Sequence, residues 1–332
     1  MLDTAIVGGG LCGLALARNL RRRDARFGLF EARPRLGGRI LPAAGAGSKL
    51  GIDLGASWFW PQQQPETARL IADLGLADFA QHDEGAVLHL SDPDRAPESV
   101  LDKSVHNGAR RLVDGMASLV EALVRDLPQD RIHLGHVLTR VTDRGDHTAL
   151  TFVANDHEVE IEARRVVLAL PPRLLAEHVR FEPALDDATG EAMRNAGTWM
   201  ASQAKVVISY DRPYWREAGR SGNAFVTHEQ AVIGEIFDAC DARTGHAALG
   251  GFLALSPDLR ESFSAGLPML IASQMVQVFG STLEQGGQHY QDWATERFTC
   301  SPLDRVTPAS DRIDVANPLL RRPLWDGKLF LG

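Results

Sequence analysis

The sequence predicts an α/β protein of two domains, and three observations lead to that prediction. The chain has 332 residues, of which 44% are hydrophobic and 23% charged, enough to bury two moderate cores. Between Thr4 and Phe30 it runs as a short apolar strand, a glycine turn, a helix with one apolar face and a second strand. Short β-branched strands then recur through both halves of the chain. With 31 Gly and 17 Pro, collagen-like and linker-rich classes are excluded.

Charge and cysteine content exclude further classes. The chain has 35 Lys+Arg against 43 Asp+Glu, a formal charge of -8, and so lacks the basic excess that nucleic-acid binding requires. Cys12, Cys240 and Cys300 are far apart, so neither a disulfide framework nor a metal site is predicted. No basic region precedes the first apolar stretch, and no apolar run reaches the roughly 18 residues of a spanning helix. We therefore expect a cytoplasmic protein without a membrane span.

The first glycine turn has the pattern G-x-G-x-x-G, with Gly8, Gly10 and Gly13 between strand and helix. Gly8 would permit the tight turn, Gly10 would let the backbone approach a pyrophosphate, and Gly13 would allow close packing of helix on strand. Glu31 ends the second strand, 18 residues beyond Gly13, where a carboxylate accepts hydrogen bonds from ribose hydroxyls. This context predicts a dinucleotide site; a glycine-rich packing turn is the alternative.

A second glycine pair decides which dinucleotide is expected. The run Arg33-Pro34-Arg35-Leu36-Gly37-Gly38-Arg39 brings fixed positive charge toward the nucleotide, as a large, fully buried dinucleotide would need. With these motifs the chain resembles the flavin amine oxidase family, the monoamine and polyamine oxidases and their bacterial relatives. The resemblance implies FAD, with Glu31 on the ribose and the Gly38-Arg39 turn along the pyrophosphate. The cofactor-binding residues that it implies in this segment are Gly8, Gly10, Leu11, Cys12, Gly13, Glu31, Ala32, Arg33, Gly38 and Arg39.

The resemblance also implies the domain organisation. We expect a Rossmann-like FAD-binding domain of the glutathione reductase type, interleaved along the chain with an α+β substrate domain that contains a mixed sheet. The predicted FAD-binding domain comprises residues 1–60, 110–193 and 294–332. The predicted substrate domain comprises residues 61–109 and 194–293, and we expect residues 61–109 to form part of a substrate cap.

Three later segments resemble family motifs that contact FAD. A second glycine-rich loop, Gly45 to Gly51, precedes Asp53-Leu54-Gly55-Ala56-Ser57-Trp58, which in the family brings backbone amides to the flavin ring; a simple turn with a buried tryptophan is the alternative. Valine at position 137 would contact the adenine end, and an apolar strand over 166–170 would return beneath the nucleotide, separate from a hairpin over 150–163. The cofactor-binding residues implied here are Gly55, Ala56, Ser57, Trp58, Val137, Leu170 and Pro171.

Lys205 lies near the start of an otherwise apolar strand that leads into Pro213-Tyr214-Trp215. A long charged side chain in that position must either extend to solvent or enter a cavity. In the family, a strand of this form carries the lysine that holds a water against flavin N5. The resemblance implies this catalytic role for Lys205; a solvent lysine at the edge of a strand is the alternative.

Toward its end the chain resembles the family less. Some amine oxidases attach FAD through a cysteine, but Cys300 stands in a different local pattern, so we expect a buried structural thiol and non-covalent FAD. The sequence stops at Gly332, after a strand that the family continues into a helix directed at the flavin phosphates. We therefore expect that these 332 residues are truncated and retain FAD weakly.

The resemblance implies oxidation of an amine C–N bond to an imine, with dioxygen as acceptor and hydrogen peroxide as product. Three alternatives stay open. One is a desaturase or protoporphyrinogen oxidase-like enzyme acting on a large apolar substrate. The second is a nicotinamide-dependent reductase, and the third is a truncated, non-catalytic nucleotide-binding fragment. The sequence indicates neither the substrate nor the oligomeric state.

Overall fold

A computed structural model of the chain describes residues 1–43, 51–102, 104–242, 246–306 and 317–332. Apart from Gly51, the second glycine-rich loop lies outside the described residues. The chain forms two compact units, each assembled from separate segments. Unit 1 comprises Met1–Arg39, Val120–Ser202 and Trp293–Gly332, and unit 2 comprises Ile40–Leu119 and Gln203–Asp292.

The described residues contain 17 strands and ten α-helices, which we number in chain order. The strands are β1 (Leu2–Val7), β2 (Phe27–Phe30), β3 (Asp78–Ala80), β4 (Ala86–Leu90), β5 (Glu98–Leu101), β6 (Arg110–Leu112), β7 (Ile132–His133), β8 (Val137–Asp143), β9 (Thr148–Ala154), β10 (His157–Leu168), β11 (Arg180–Glu182), β12 (Ala204–Tyr210), β13 (Arg220–Val226), β14 (Ile233–Asp238), β15 (Ala247–Leu253), β16 (Gly287–Asp292) and β17 (Leu329–Leu331). The helices are α1 (Leu11–Arg22), α2 (Pro65–Asp73), α3 (Ala117–Arg125), α4 (Pro172–His178), α5 (Asp187–Asn195), α6 (Tyr214–Glu217), α7 (Pro257–Ser262), α8 (Leu267–Phe279), α9 (Pro302–Val306) and α10 (Pro318–Arg321).

Unit 1 is built on an eight-stranded sheet of order β11-β8-β9-β10-β1-β2-β7, with β17 also paired to β10. Strand β1 lies parallel to both β10 and β2, and α1 connects β1 to β2. The helix buries Gly13, Leu14 and Ala17, and ends with Arg21 and Arg22, cations that suit the negative end of the helix dipole. The Rossmann-like part of the prediction is thereby confirmed.

Strand β10 corrects one expectation. A hairpin arm and a separate buried strand were predicted over 159–170, but His157–Leu168 is one continuous strand. Its first half pairs antiparallel with β9 and its second half parallel with β1. The separate-strand prediction was wrong because Arg164 and Arg165 are exposed strand residues, and the strand changes partners there without a turn.

Unit 2 is built on a seven-stranded sheet of order β16-β12-β15-β14-β13-β4-β5. Strands β4 and β13 are parallel, while the other pairs in this sheet are antiparallel. The mixed sheet that was predicted for the substrate domain is therefore present. Strands β4 and β5 come from the segment that was expected as a substrate cap, and they extend this sheet at its edge.

The units divide the chain at different residues from the predicted domains. Residues 40–60 and 110–119 were assigned to the FAD-binding domain but belong to unit 2. The reason is packing, because Ile52 and Leu54 share a buried apolar cluster with Val207 of β12.

Among the described residues, none of the helices combines the length and the apolar composition that a membrane crossing requires.

Candidate functional site

The glycine turn of unit 1 joins β1 to α1. Gly8 has a φ of 109°, and a side chain there would overlap the carbonyl oxygen of Ala169. A side chain at Gly13 would overlap the carbonyl oxygen of Gly8. At Gly10, by contrast, a Cβ would meet no atom of the described chain within 4 Å. The turn is therefore closed on its packed side and open at Gly10.

Helix α1 begins immediately after this open position. Its N-cap residue is Gly10, which supplies no side-chain hydrogen bond to the first turn, and the first turn contains no acidic residue. Backbone N–H groups at an uncapped helix start, together with the helix dipole, favour an anion. Leu11 is half-buried and Cys12 exposed at this helix start.

Glu31 is buried directly after β2. Its Oε2 accepts the backbone N–H of Gly9 at 2.6 Å, and its Oε1 accepts the backbone N–H of Arg33 at 2.9 Å. Each carboxylate oxygen has a second lone pair, so the residue can also accept from a ribose. Half-buried Ala32 follows it in the chain.

The second glycine pair lies against the first. The backbone N–H of Gly37 donates to the carbonyl of Gly9 at 2.8 Å, and a Cβ at Gly38 would be 3.3 Å from the Cα of Gly10. An open glycine position, an uncapped helix start and a buried carboxylate thus lie together. These residues fit the adenosine diphosphate part of FAD.

The arginines of this segment have hydrogen-bond partners that the sequence did not predict. Arg33 is buried, and its guanidinium donates to Oε2 of Glu296 at 3.1 Å and to Oγ1 of Thr299 at 2.7 Å. Arg39 is exposed and donates to the carbonyl of Trp199 at 2.8 Å. Arg35, which was not among the predicted site residues, donates to the carbonyl of Gly38 at 3.0 Å. The signal for Arg35 was its place between Glu31 and the second glycine pair.

The remaining predicted residues of unit 1 lie close to these groups. Leu170 follows the end of β10, and its Cδ2 would be 3.0 Å from a Cβ at Gly8. Pro171 is half-buried next to it. Val137 begins β8 directly after His136, whose backbone N–H donates to the carbonyl of Glu31 at 2.9 Å.

In unit 2, Lys205 is only 2% exposed. Its Nζ donates to the carbonyl of Gly55 at 2.9 Å and to Oγ of Ser57 at 2.5 Å. Strand β12 lies between β15 and β16, so this side chain is not a solvent lysine at a sheet edge. The predicted segment 55–57 and the predicted lysine are in direct contact, while Ala56 itself is exposed.

Three aromatic rings surround the lysine. Its Nζ lies 6.0 Å from the ring centroid of Trp58, 5.4 Å from that of Phe237 and 5.8 Å from that of Phe252. Rings at this distance attract a cation through their quadrupole. Trp58 was predicted to contact the cofactor, whereas the two phenylalanines come from β14 and β15 and were not among the predicted site residues.

Two further buried charges act on Lys205. Burial lowers the pKa of Lys205 to about 7; the Asp53 carboxylate opposes this shift, and Arg111 reinforces it. Burial raises the pKa of Asp53 to about 6, against the opposing effects of Lys205, Arg111 and a hydrogen bond from the backbone N–H of Met116. Sequence reasoning missed Arg111 and gave Asp53 no role of its own.

Cys300 is buried beside Ala201 and Ala294 in unit 1, as expected of a structural thiol. Within the described ranges, no three His, Cys, Asp or Glu side chains are grouped as a metal site would require.

The two sheets and these groups define a protein with a Rossmann-like nucleotide-binding unit and a mixed-sheet unit that buries a lysine. Two models of known families match the chain. The family model for flavin containing amine oxidoreductase matches residues 97–324, and that for an NAD(P)-binding Rossmann-like domain matches residues 6–74. The chain belongs to the flavin containing amine oxidoreductase family.

Individual relatives are distant. Putrescine oxidase of Kocuria rosea is 22% identical, with 90% of this chain and 83% of that protein covered. Amine oxidase [flavin-containing] B of Sus scrofa is also 22% identical, with 99% of this chain and 80% of that protein covered. A solved structure of wild-type putrescine oxidase bound to putrescine superposes with a TM-score of 0.78 at 18% identity, covering 100% of this chain and 93% of that one. At this identity the structural likeness shows the fold.

Proposed function

We propose that the chain is an FAD-dependent amine oxidase that converts the C–N bond of a small-molecule amine into an imine. The observation that carries the proposal is Lys205, a buried lysine held by Gly55 and Ser57 among three aromatic rings. The family of the chain and the names of its relatives support the class of substrate.

FAD, when bound, would take the hydride equivalent from the carbon next to the amine nitrogen and pass the electrons to dioxygen, with hydrogen peroxide as product. The glycine turn and Glu31 would hold its adenosine diphosphate part through backbone N–H groups and a carboxylate. FAD would be held non-covalently, since the nearest cysteine to the family's linkage position, Cys300, is buried in an apolar cluster.

Lys205 would position a water at the reacting centre. Nζ donates to Gly55 and Ser57, and its remaining position, an N–H in the ammonium form or a lone pair in the neutral amine, can bind a water. Trp58, Phe237 and Phe252 would keep other water away, which strengthens electrostatic interactions at the site. No side-chain base is required if the amine binds in its neutral form.

Polar groups next to the rings favour an amine over a large apolar substrate. The ring centroid of His106 lies 5.0 Å from that of Trp58 in a tilted arrangement and 6.3 Å from that of Phe237 edge to face. The Glu235 carboxylate lies 4.0 Å from Nε2 of that imidazole. A purely apolar substrate would leave such groups unpaired, which is unfavourable. These polar groups therefore favour amine oxidation over the desaturase reaction.

A peroxide assay tests the proposal. Protein supplied with excess FAD is mixed with a panel of primary amines, polyamines and apolar ring compounds, and hydrogen peroxide is measured. We expect peroxide with at least one amine, and a much lower rate in Lys205→Met. If the protein binds FAD but oxidises only the ring compounds, the result supports the desaturase reaction and not amine oxidation. Bound FAD without turnover of any compound would contradict the proposal.

A further inference from the structure

Of the three rings around Lys205, only that of Trp58 carries a polar atom. The rings of Phe237 and Phe252 are hydrocarbon and belong to strands β14 and β15. Trp58 is half-buried and lies outside the numbered strands. Its indole Nε1 is therefore the atom through which a hydrogen bond can fix the orientation of the ring.

Gln81 accepts that hydrogen bond. The residue follows β3 and is 8% exposed, and its Oε1 accepts the indole N–H of Trp58 at 2.8 Å. Its Nε2 donates to the backbone carbonyl of Asp238 at 2.7 Å. An indole N–H only donates and a carbonyl only accepts, so the amide of Gln81 can bind both partners in one orientation alone.

The Asp238 end of this contact is itself fixed. Asp238 is 1% exposed, and its Oδ2 accepts from Nε1 of Trp215 at 2.8 Å and from Nε of Arg216 at 2.7 Å. Its Oδ1 accepts from Nη2 of Arg216 at 2.8 Å and from the backbone N–H of Cys240 at 3.0 Å. These hydrogen bonds hold the residue whose carbonyl binds Gln81.

Gln81 thereby joins two of the three rings. Asp238 is the last residue of β14 and directly follows Phe237. The rings of Trp58 and Phe237 meet edge to face with their centroids 4.5 Å apart, and both lie near Nζ of Lys205. A hydrogen bond at the indole Nε1 adds a direction that the packing of two rings does not supply.

The same segment holds a second neighbour of the indole. Oδ1 of Asp83, two residues after Gln81, lies 2.7 Å from Nδ1 of His106. The ring centroid of His106 lies 5.0 Å from that of Trp58. Residues 81–83 therefore support Trp58 directly through Gln81 and indirectly through His106.

We propose that Gln81 is a positioning residue for the reaction at Lys205, because it fixes the indole of Trp58 beside the lysine amino group. Gln81 acts through Trp58 and does not itself touch the reacting atoms. A displaced indole would admit water next to Nζ, and small displacements at a reaction site cost large factors in rate. This inference rests on the proposed function, since it assumes that Lys205 works at the reacting centre.

The first test is Gln81→Met, which keeps the length of the side chain but leaves only a weakly accepting thioether. With excess FAD and the amine that the wild-type protein oxidises fastest, we expect kcat/KM to fall by about 10- to 100-fold, measured as peroxide formation. If Gln81→Met does not fold, Gln81→Glu takes its place, because an ionised carboxylate accepts from the indole but cannot donate to Asp238. An unchanged kcat/KM would overturn the inference.

Gln274 of α8 provides the matched control. It is 4% exposed, its Oε1 accepts the backbone N–H groups of Val232 and Ile233 at 2.6 and 3.1 Å, and its Nε2 donates to the carbonyl of Ile233 at 2.7 Å. Gln274→Met therefore removes a similarly buried amide that also binds through both ends. Both variants should lower Tm, while only Gln81→Met should lower kcat/KM. An equal loss of kcat/KM in Gln274→Met would contradict a positioning role for Gln81.

A double-mutant cycle shows whether Gln81 acts through Trp58. Trp58→Phe keeps a ring but removes the indole N–H. If Gln81 acts only through that group, adding Gln81→Met to Trp58→Phe causes no further fall in kcat/KM. Losses that multiply in the double variant would contradict the inference.

A further measurement needs no turnover. The free energy of unfolding is compared with and without Lys205→Met across pH, in the wild-type, Gln81→Met and Gln274→Met backgrounds. Burial disfavours the charged form of a lysine, so water admitted by a displaced indole lets Lys205 keep its proton to a higher pH. Asp53 and Arg111, the charged groups that act on Lys205, are present in all three backgrounds.

The stability difference should therefore begin to rise at a higher pH in the Gln81→Met background alone. The same pH dependence in all three backgrounds would overturn the inference. Absence of turnover with every amine would instead contradict the proposed function, and the unfolding measurement would still decide the role of Gln81.

Discussion

The glycine turn of unit 1 and the lysine site of unit 2 create their electrostatic fields in opposite ways. In the turn, backbone N–H groups of an uncapped helix provide the positive field, and the absence of a side chain at Gly10 provides the space. In the lysine site, a buried side-chain amino group is held by a carbonyl and a hydroxyl among three rings. Substitutions in the turn should therefore change the space for FAD and so its affinity. Substitutions at the lysine should change the charge at that site and so the rate of turnover.

The largest expected effect belongs to Lys205→Met. We expect kcat to fall by about 100-fold or more, the size typical of removing one positioned hydrogen-bonding group from a reaction site, because the water at the reacting centre loses its partner. FAD binding should persist, because the glycine turn and Glu31 lie in the other unit. Steady-state peroxide production and FAD titration measure the two effects separately.

Lys328 provides the matched control for that substitution. Its Nζ pairs with Asp143 at 3.1 Å in unit 1, so Lys328→Met removes a part-buried lysine that has no role in the proposed reaction. Turnover should stay at the wild-type level. A loss of kcat in Lys328→Met as large as in Lys205→Met would remove the distinction between the two regions.

The next effect is on the binding of FAD. In Glu31→Gln, the amide NH2 group faces either the N–H of Gly9 or that of Arg33, and an acceptor for the ribose is lost. We expect the Kd for FAD to rise by about 10- to 100-fold, with kcat at saturating FAD preserved. Fluorescence titration of FAD measures this, with Glu160→Gln as a control, since the exposed Glu160 carboxylate pairs with Arg144 outside the predicted site. An unchanged Kd would mean that Glu31 only accepts the backbone N–H groups of Gly9 and Arg33 and does not bind FAD.

A smaller effect distinguishes the open position of the turn, Gly10, from its packed position, Gly13. Gly10→Ala adds a methyl group where no described atom lies within 4 Å, so Tm should hold while the affinity for FAD falls by about tenfold. Gly13→Ala adds the same group against the carbonyl of Gly8, and Tm should fall. Thermal melts with and without FAD distinguish the two variants. Equal losses of Tm in Gly10→Ala and Gly13→Ala would contradict the conclusion that Gly10 is an open position.

The last effect concerns the stability of the folded protein and its dependence on pH. Because the pKa of Lys205 in the folded protein is lowered to about 7, the unfolded chain binds a proton that the folded protein lacks between about pH 7 and about pH 10. Stability relative to Lys205→Met should therefore rise with pH in that window, by at most about 1.4 kcal/mol per pH unit. Denaturant unfolding at several pH values measures the slope, and a difference that is constant with pH would mean that Lys205 stays charged.

The two regions also differ in how far the sequence predicts them. The turn is contiguous, so the strand, Gly8 to Gly13, the helix and Glu31 could all be recognised from spacing and apolar pattern. The lysine site is not contiguous. Lys205 contacts Gly55 and Ser57, which are 150 and 148 residues away in the chain, and only the resemblance to a family connected these segments.

Other contacts depend on three-dimensional packing that periodicity does not encode. The partner of Arg33 is Glu296, 263 residues away, and the partner of Asp83 is His106, across a segment without any motif. The continuous course of β10 was missed for a different reason. Its two charged residues at 164 and 165 resemble a connection, although they are consecutive strand residues that point to opposite faces of the sheet and are both exposed.

The most direct test of the central claim is the visible absorbance of the FAD-loaded protein mixed with diaminobutane or butylamine without oxygen. The account predicts that an amine bleaches the flavin band, that air restores it with formation of about one peroxide per flavin, and that Lys205→Met bleaches far more slowly. Persistence of the oxidised spectrum with every amine, in protein that has bound FAD, would contradict amine oxidation by this chain.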